Sequence, residues 1–453
     1  MKDLVSAWKV RLAAGSAVRQ RFMSLTAWSL VGAVASRSLS LTATITCARV
    51  LGQKSFGAFG IVLNTSNTVA SLAAMGLGVT ATRYVADLRE RDPERAGRIM
   101  GLAWMTSLLS GLLMMAVSLF ASRWTAHTLL HADSLTGPIR IASLLILLNP
   151  MLAFQNGALA GLEAFRRLAS INVISGLASV PLVLFGVWRF GITGAIVGTI
   201  AGQLLTWVLS ERLLLAECRR AGIRLSLQGS LRETGVFCSF SLPALLGPFS
   251  TMPVMWICSV LIVRSPHGFE QMALYTAADR WRLAILFIPN ALFQAALPMM
   301  ANLYGRNRCE YREIARANLW INLGLVLVPV LPICLLAPHI MASYGGSFRN
   351  GWPVLALFAF ATVPEALNTI LGYRLVTQGR MWARFWYDVL MSATLLGLGA
   401  WLIPTRGTLG FAFAYLAAFT IASIALAIGE RFMVSQEFET AVEAAPQLPD
   451  GAI

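Results

Sequence analysis

Apolar stretches of about 20 residues recur along the whole chain and are separated by short polar segments rich in arginine. Because the hydrocarbon core of a bilayer is about 30 Å thick, a helix of about 20 apolar residues is long enough to cross it. The pattern predicts twelve transmembrane helices, at residues 23–47, 57–80, 99–122, 138–160, 168–188, 191–214, 235–263, 278–302, 317–337, 352–374, 383–403 and 408–429. None of the connections between them is long enough for a soluble domain.

Composition supports the same interpretation. Hydrophobic residues make up 57% of the chain and charged residues only 13%, with a mean hydropathy of +0.67. Ordinary soluble domains carry about 25% charged residues. The six cysteines form no Cys-x-x-Cys pair, so we interpret them as small hydrophobic residues rather than disulfides or metal ligands. We therefore predict an all-α polytopic membrane protein.

The basic residues predict the orientation of the chain in the membrane. If the N-terminus is cytoplasmic, 25 of the 36 Lys and Arg residues fall in cytoplasmic segments, ten fall on the opposite side, and Arg37 lies within the first span. Cytoplasmic loops of membrane proteins are enriched in Lys and Arg. We therefore expect both termini in the cytoplasm. The same rule accounts for the net charge of +15 without a nucleic-acid partner, because no soluble basic domain is present.

The two halves of the chain share a pattern at a constant offset. "GAFGIVLN" at 57–64 resembles "ALYTAADR" at 273–280, and "GITGAIVGTIAG" at 191–202 resembles "GTLGFAFAYLAA" at 407–418, with the same spacing between the members of each pair. The repeat predicts two pseudo-symmetric six-helix bundles, an arrangement typical of transporters. The expected domains are a basic cytoplasmic N-terminal segment (1–22), the two bundles (23–216 and 234–430), a basic cytoplasmic linker (217–233) and an acidic cytoplasmic tail (431–453).

Motifs for ATP hydrolysis or metal-dependent catalysis are absent from the sequence. No glycine is followed by lysine, which excludes a P-loop, and no His-Glu-x-x-His occurs. Gly194, Gly198 and Gly202 repeat every fourth residue, which indicates close helix packing rather than a phosphate loop. We expect a transporter rather than an enzyme, with no cofactor and no metal, coupled to a proton or sodium gradient or to the membrane potential.

Polar side chains inside the spans are the candidate functional residues, because each is costly in hydrocarbon. The predicted substrate-binding set is Arg37, Asn64, Asn67, Arg83, Asn149, Gln155, Asn156, Arg280, Arg282, Asn290, Gln294 and Asn368. Arginine binds phosphate with directional donors, and amides can contact sugar hydroxyls. Arg37 lies in the middle of a predicted span, where an anionic substrate group, a structural ion pair or a misplaced span boundary would each explain it. For the amides, hydrogen bonds between helices are an equal alternative.

Two acidic residues, Asp279 and Glu365, are the candidates for a coupling-ion site and rival partners for Arg37. Glu365 directly follows Pro364, and proline in a helix frees the carbonyl four residues earlier. We therefore predict that this helix breaks near Pro364. Asp388 lies four residues after Arg384 and is expected to pair with it.

The segment "ARVLGQKSFGAFGIVLNTSNTVASLAAMGLGVTATRYVAD" (48–87) resembles the Wzx-type oligosaccharide flippases of the MOP superfamily. The shared features are Leu51-Gly52, Phe56-Gly57, Gly76-Leu77-Gly78 and Arg83-Tyr84. The resemblance covers about residues 20–430. It implies a MATE-like, V-shaped pair of six-helix bundles in the bacterial inner membrane.

The resemblance also implies the substrate class. Such proteins move undecaprenyl-pyrophosphate-linked oligosaccharides by alternating access, with a cationic cavity around the pyrophosphate and sugar and the polyprenyl tail in or near the bilayer. Arg37 matches an arginine common in the first span of these flippases. A polysaccharide polymerase and a chain-length regulator are further partners that the family implies.

Three alternatives remain open at this point. A cation-coupled multidrug exporter of the MATE type would share the architecture, but it needs an acidic site, most tellingly in the first span, which here carries Arg37. A lipid II flippase is a closer relative, although such proteins usually have fourteen spans. A membrane enzyme, such as a glycan polymerase or ligase, would need a large periplasmic loop that this chain lacks.

Overall fold

The computed structural model describes the backbone of residues 2–74, 76–226, 242–304 and 308–443 and the side chains of residues 38–74, 76–226, 249–290, 292, 300, 303–304 and 310–430. Helices make up nearly all of this part of the chain, and no β-strand occurs in it. The prediction of an all-α protein is confirmed.

The helices are labelled α1 to α10 in chain order. They are α1 (Lys2–Ala74), α2 (Leu77–Leu88), α3 (Pro93–Trp124), α4 (Thr136–Gly161), α5 (Phe165–Arg220), α6 (Leu242–Arg264), α7 (Gly268–Tyr304), α8 (Arg308–Tyr344), α9 (Trp352–Thr377) and α10 (Met381–Glu443). The start of α3 shows how local sequence sets a boundary. Asp92 accepts a hydrogen bond from the backbone N–H of Arg95 at 2.9 Å, and Pro93 occupies the first helical position.

Three of the long helices are interrupted by a single glycine with non-helical backbone angles. Gly52 in α1 has φ 75° and ψ 165°, whereas Gly191 in α5 and Gly407 in α10 both have φ 58° and ψ −134°. Only glycine adopts these angles without strain, because it has no Cβ. Gly191 and Gly407 are the first residues of two matching repeat segments, so the repeat seen in the sequence is also a repeat in backbone conformation.

The glycines that repeat every fourth residue in α5 let its two segments pack in direct contact. A Cβ at Gly194 would overlap the Gly186 carbonyl, and one at Gly198 would meet the Leu182 carbonyl. A Cβ at Gly202 would come within 2.8 Å of the Ser179 Cβ. The prediction that this glycine repeat serves helix packing is confirmed.

The contacts of the described residues divide the chain into two compact units. The first falls within Met1–Met252, His267–Ala277 and Ala342–Arg349, and the second within Pro253–Pro266, Ala278–Met341 and Asn350–Ile453. The first unit has a core cluster that includes Ile99, Met100 and Phe154, and the second has one that includes Val326 and Val330. The expected domain boundaries stay a prediction.

Seven stretches of the described residues are long and apolar enough to cross a membrane. They are Ser38–Leu88, Pro93–Leu129, Asp133–Gly161, Phe165–Arg220, Glu310–Tyr344, Gly346–Thr377 and Met381–Glu430. Large apolar side chains are exposed on them, such as Phe120 (89% exposed) and Val328 (74% exposed), which suits a surface that faces lipid. The chain is a multi-pass membrane protein.

The predicted break at Pro364 is wrong. Helix α9 runs without interruption from Trp352 to Thr377, with Pro364 buried inside it. A proline removes one backbone hydrogen bond, and surrounding helices can support the helix through that loss. Here the Ser423 hydroxyl donates a hydrogen bond of 2.8 Å to the Pro364 carbonyl, which ties α10 to α9 at this point.

Candidate functional site

A compact cluster of charged side chains lies inside the second unit and is centred on Arg282 of α7. Its Nε and Nη2 each lie 2.8 Å from Oδ1 of Asp279, one helical turn earlier. Its Nη1 lies 2.5 Å from Oε1 of Glu365 in α9 and donates to the Tyr415 hydroxyl of α10 at 3.1 Å. Three helices therefore converge on one guanidinium group.

The cluster carries more negative than positive charge. One arginine faces two carboxylates, and the three side chains are only 12% (Arg282), 22% (Asp279) and 14% (Glu365) exposed. The Oε2 atom of Glu365 is buried and has no hydrogen-bond partner among the described residues. Buried carboxylates are stable only when paired or neutralised. Counted over these ion pairs, the cluster has one carboxylate more than it has cations.

An aromatic ring packs against the guanidinium group of Arg282. The Arg282 guanidinium carbon lies 5.6 Å from the centroid of the Tyr415 ring, close enough for a cation–π interaction. The Tyr415 ring is itself packed against Phe358, Phe411 and Phe419, with centroid separations of 5.4, 6.1 and 4.6 Å. Tyr415 is 1% exposed, so this wall excludes water from one face of the guanidinium.

The charged cluster belongs to the second half of the repeat only. At the offset of the repeat, Asp279, Arg282, Glu365 and Tyr415 correspond to Leu63, Ser66, Asn149 and Thr199 of the first half. None of these four side chains is charged. Any function that needs the ion cluster is therefore asymmetric between the halves, although the two halves share backbone conformation at their kinks.

A second polar group lies inside the first unit. Gln155 of α4 is 1% exposed, and its Nε2 donates to Oε2 of Glu211 in α5 at 2.6 Å and to the Trp207 carbonyl at 3.4 Å. The Oε1 atom of Gln155 is buried without a hydrogen-bond partner among the described residues. Gln155 therefore links α4 to α5, as the interpretation of the amides as helix–helix contacts predicts.

The predicted asparagines of the first unit lie near each other but are loosely connected. Asn149 Nδ2 donates to Asn67 Oδ1 at 3.5 Å, a long hydrogen bond. Asn64, one turn before Asn67, is half-buried, and its Oδ1 has no partner among the described residues. These amides remain available for a ligand that offers hydroxyl donors.

The other predicted residues are scattered. Arg83 is exposed and lies 5.7 Å from the centroid of the Tyr84 ring. Asn156 and Asn290 are exposed and Arg280 is half-buried. Asn368 is buried at 2% exposure, and its backbone carbonyl accepts a hydrogen bond of 2.9 Å from Arg384.

Two predicted residues lie outside the described side chains. Arg37 and Gln294 belong to helices α1 and α7, but their side chains are not among those the structure describes. Their assignment to the substrate site stays a prediction. The expected pair of Arg384 with Asp388 is confirmed, with Nη2 of Arg384 2.6 Å from Oδ1 of Asp388.

Sequence reasoning missed Tyr415 and Glu211. Tyr415 stands in an apolar span, where it resembles any other aromatic core residue. Its repeat partner Thr199 was the available signal, because a hydroxyl at both repeat positions marks a polar environment. Glu211 lies near the predicted end of its span, where an acidic residue is readily interpreted as part of a loop.

Comparison with known proteins identifies the family. Residues 24–304, more than half of the chain, match the family described as polysaccharide biosynthesis protein. The EPS I polysaccharide export inner membrane protein EpsE of Ralstonia nicotianae is 25% identical over 371 residues, 81% of this chain and 84% of that protein. The lipid III flippase of Escherichia coli K12 is 23% identical over 385 residues, 81% of this chain and 89% of that protein.

A solved structure shows the fold. An inward-facing multidrug resistance MATE family transporter of the MOP superfamily matches with a TM-score of 0.77 at 19% identity, covering 89% of this chain and 96% of that one. At this identity the likeness shows the fold alone. With its MATE-like fold and the match over residues 24–304, the chain belongs to the family of polysaccharide biosynthesis proteins.

Proposed function

We propose that the protein is a flippase that moves undecaprenyl-pyrophosphate-linked oligosaccharide units across the bacterial inner membrane by alternating access. The observation that carries the proposal is the family match over residues 24–304, with relatives over 81% of the chain named as a polysaccharide export protein and a lipid III flippase. The glycan belongs to an O-antigen, an exopolysaccharide or a capsule. A polymerase and a chain-length regulator act after it.

The proposed arrangement is twelve spans in two six-helix bundles with both termini in the cytoplasm. Helix lengths support this count. The stretches Ser38–Leu88, Phe165–Arg220 and Met381–Glu430 contain 51, 56 and 50 residues, each long enough at 1.5 Å per residue to cross the bilayer twice. Each also contains one of the glycine interruptions, where the chain can reverse. The remaining helices would each cross once.

The ion pairs of the charged cluster limit which of the predicted arginines can bind the pyrophosphate. Arg282 forms ion pairs with both Asp279 and Glu365, so few of its donors remain for a pyrophosphate. The other predicted arginines, Arg37, Arg83 and Arg280, remain candidates for contact with the pyrophosphate. The half-buried and exposed amides, such as Asn64 and Asn67, are assigned to the sugar hydroxyls. In this proposal, the residues that bind the pyrophosphate differ from those that form the ion cluster.

The cluster is the proposed coupling site. With Arg282 fixed between two carboxylates, binding of a proton or a monovalent cation at Glu365 neutralises the group, and its release restores one negative charge. Because α7, α9 and α10 all contribute side chains, the charge state of the cluster can bias how these helices pack. A cation-coupled drug exporter is the weaker candidate, since the likeness to a MATE transporter shows only the fold.

The test is deletion of the gene in its native bacterium. We expect surface polysaccharide to be lost and lipid-linked repeat units to accumulate in the inner membrane, with both restored by the wild-type gene. An empty vector is the control. Unchanged surface polysaccharide without accumulated lipid-linked units would contradict the flippase proposal, and raised sensitivity to cationic drugs in the same strain would favour the exporter.

A further inference from the structure

A cavity of about 280 Å³ opens within the first unit between the two segments of α5. The lining residues with hydroxyl or amide groups are Asn172, Ser175, Ser179, Thr199, Gln203 and Thr206. We call this cavity the α5 groove. None of its lining residues is charged, and apolar atoms make up most of the surface of the groove. So many polar side chains are unusual in the middle of a long apolar helix, where exposed polar groups are costly.

The position of the α5 groove follows from the packing of α5 on itself. Gly186 and Gly194 touch through their backbones close to the kink at Gly191. Farther from the kink, Gly202 meets Ser179, and both of these residues also line the groove. The two segments are therefore in contact near the kink, and the groove lies beside their line of contact.

Hydrogen bonding separates the lining groups into two kinds. The hydroxyls of Ser179, Thr199 and Thr206 donate to backbone carbonyls of their own helix at 2.9, 2.8 and 2.8 Å, as hydroxyls in membrane helices commonly do. The Ser175 hydroxyl and the Gln203 Oε1 atom are buried and have no partner among the described residues. Ser175 is only 5% exposed.

These two groups are what a ligand site would require. A buried polar atom without a partner is costly, and such atoms in native structures commonly mark a place where a ligand or an ordered water binds. Ser175 can both donate and accept, whereas Gln203 accepts through Oε1 and donates through Nε2. Both residues line the same cavity, so rotation of their side chains would turn both groups toward one bound molecule.

The second half of the chain carries larger residues at the corresponding positions. At the offset of the repeat, Ser175, Thr199 and Gln203 correspond to Met391, Tyr415 and Phe419, which are 3%, 1% and 8% exposed. The Tyr415 and Phe419 rings pack at 4.6 Å. The matching positions thus carry large, buried side chains in the second half and smaller polar ones in the first half.

We propose that the α5 groove binds one uncharged sugar ring of the transported molecule, an inference that rests on the proposed flippase function. Neutral donors and acceptors match sugar hydroxyls, which also need both. A pyrophosphate would find no cation among the lining residues, and a polyprenyl tail would leave the Ser175 and Gln203 groups unpaired. The volume of about 280 Å³ lies just below the usual range of ligand pockets, about 300–1,000 Å³, which suits one ring rather than a whole oligosaccharide.

Two variants test the groove. Gln203→Phe introduces the residue that the second half carries at the matching position and would fill the space. Ser175→Ala removes only the unpaired hydroxyl, so it should fold normally. The matched control is Leu204→Phe, which adds the same ring to the neighbouring residue, 44% exposed and outside the groove lining. All are expressed in the deletion strain, with membrane levels and size-exclusion profiles measured.

We expect Gln203→Phe to lower polysaccharide export about tenfold or more, Ser175→Ala to lower it about threefold to tenfold, and Leu204→Phe to leave it unchanged. Purified wild-type and variant proteins are then compared in thermal shift assays with undecaprenyl pyrophosphate and with undecaprenyl-pyrophosphate-linked N-acetylglucosamine. The groove variants should lose the additional shift given by the sugar and keep the shift given by the pyrophosphate lipid.

The outcomes separate the two proposals. If deletion abolishes export but both groove variants export at the wild-type rate with an unchanged sugar-dependent shift, the groove holds water only and the inference fails while the flippase stands. If the deletion strain itself keeps normal polysaccharide, the flippase proposal fails first. Loss of the pyrophosphate shift together with the sugar shift would also overturn the assignment to the sugar.

Discussion

The Nη1 atom of Arg282 lies 2.5 Å from Oε1 of Glu365, although the two residues are 83 positions apart in the chain. The contact joins α7 to α9 deep in the second unit, and Asp279 shares the same guanidinium. One cation thus pairs with two carboxylates, so these three side chains carry a net charge of −1 when all are ionised.

Replacing Glu365 by Gln should uncouple transport from the ion gradient. The amide keeps the shape of the side chain but leaves Arg282 and Asp279 as a neutral pair with no charge for a proton or cation to balance. We expect export to fall about tenfold to a hundredfold, and the remainder to be insensitive to an ionophore that collapses the gradient. The measurement is the rate of lipid-linked oligosaccharide movement in membrane vesicles with and without ionophore.

Glu430→Gln provides the matched control for this prediction. Glu430 forms a partly buried ion pair with Arg374 at 3.2 Å, with side-chain exposures of 21% and 14%, and no second carboxylate pairs with Arg374 among the described residues. This variant should keep its ionophore sensitivity. An E365Q protein that transports at the normal rate with normal ionophore sensitivity would remove Glu365 from the coupling site.

Replacing Arg282 by Met should destabilise the protein by about 3–5 kcal/mol, because it leaves two buried carboxylates without their cation. Adding Glu365→Gln to the same chain should recover part of this loss, since only one carboxylate then remains charged. Thermal unfolding of the purified proteins in detergent measures both effects. Strictly additive losses in the double variant would show that the two side chains do not interact.

Arg37→Ala should abolish export without reducing the amount of protein in the membrane, because the residue is predicted to contact the pyrophosphate of the substrate. Arg37→Lys should keep part of the activity, since lysine retains the charge but loses the paired donors of arginine. The measurement is surface polysaccharide in the complemented deletion strain. Arg123→Ala, at an exposed position near the end of α3, is the control. Full export by the Ala variant would exclude Arg37 from the site.

Gly191→Ala should destabilise the protein by about 1–3 kcal/mol, because the backbone there has φ 58° and ψ −134°, a conformation that any residue with a Cβ adopts only under strain. Open space around the position means that the cost comes from the backbone alone. Gly397→Ala is the control, as that glycine lies inside a helix with free space beside it and should tolerate or favour alanine. Thermal unfolding distinguishes the two, and equal melting temperatures would contradict the strain.

The fold class could be predicted well because long apolar runs in the sequence encode membrane helices. The constant offset between the halves pairs Gly191 with Gly407, and the two glycines share the same backbone angles. The glycine repeat at Gly194, Gly198 and Gly202 predicted close packing because only small residues allow it. The apolar runs, the offset and the glycine repeat can all be recognised from the order of residue types along the chain.

The candidate site was predicted less completely. The sequence identifies Asp279, Arg282 and Glu365 as charges inside spans, but it does not predict that Arg282 pairs with Glu365, because no local pattern shows that α7 and α9 meet. Ser175 and Gln203 were not selected at all, since serine and glutamine in a helix mostly bond to nearby backbone or neighbouring helices. Which of them lack a partner depends on tertiary packing, and so does the cavity beside them.

The α5 groove in the first half also bears on how such proteins could diversify. Exchanges among Ser, Thr, Asn and Gln along the α5 groove alter the hydrogen-bond pattern offered to a sugar without altering the charge of the protein. The ion cluster, built by different residues in the other half, would be untouched by them. After duplication of an ancestral half, substitutions among uncharged residues in the first half could change which glycan is bound. Selection could meanwhile conserve the ion cluster of the second half.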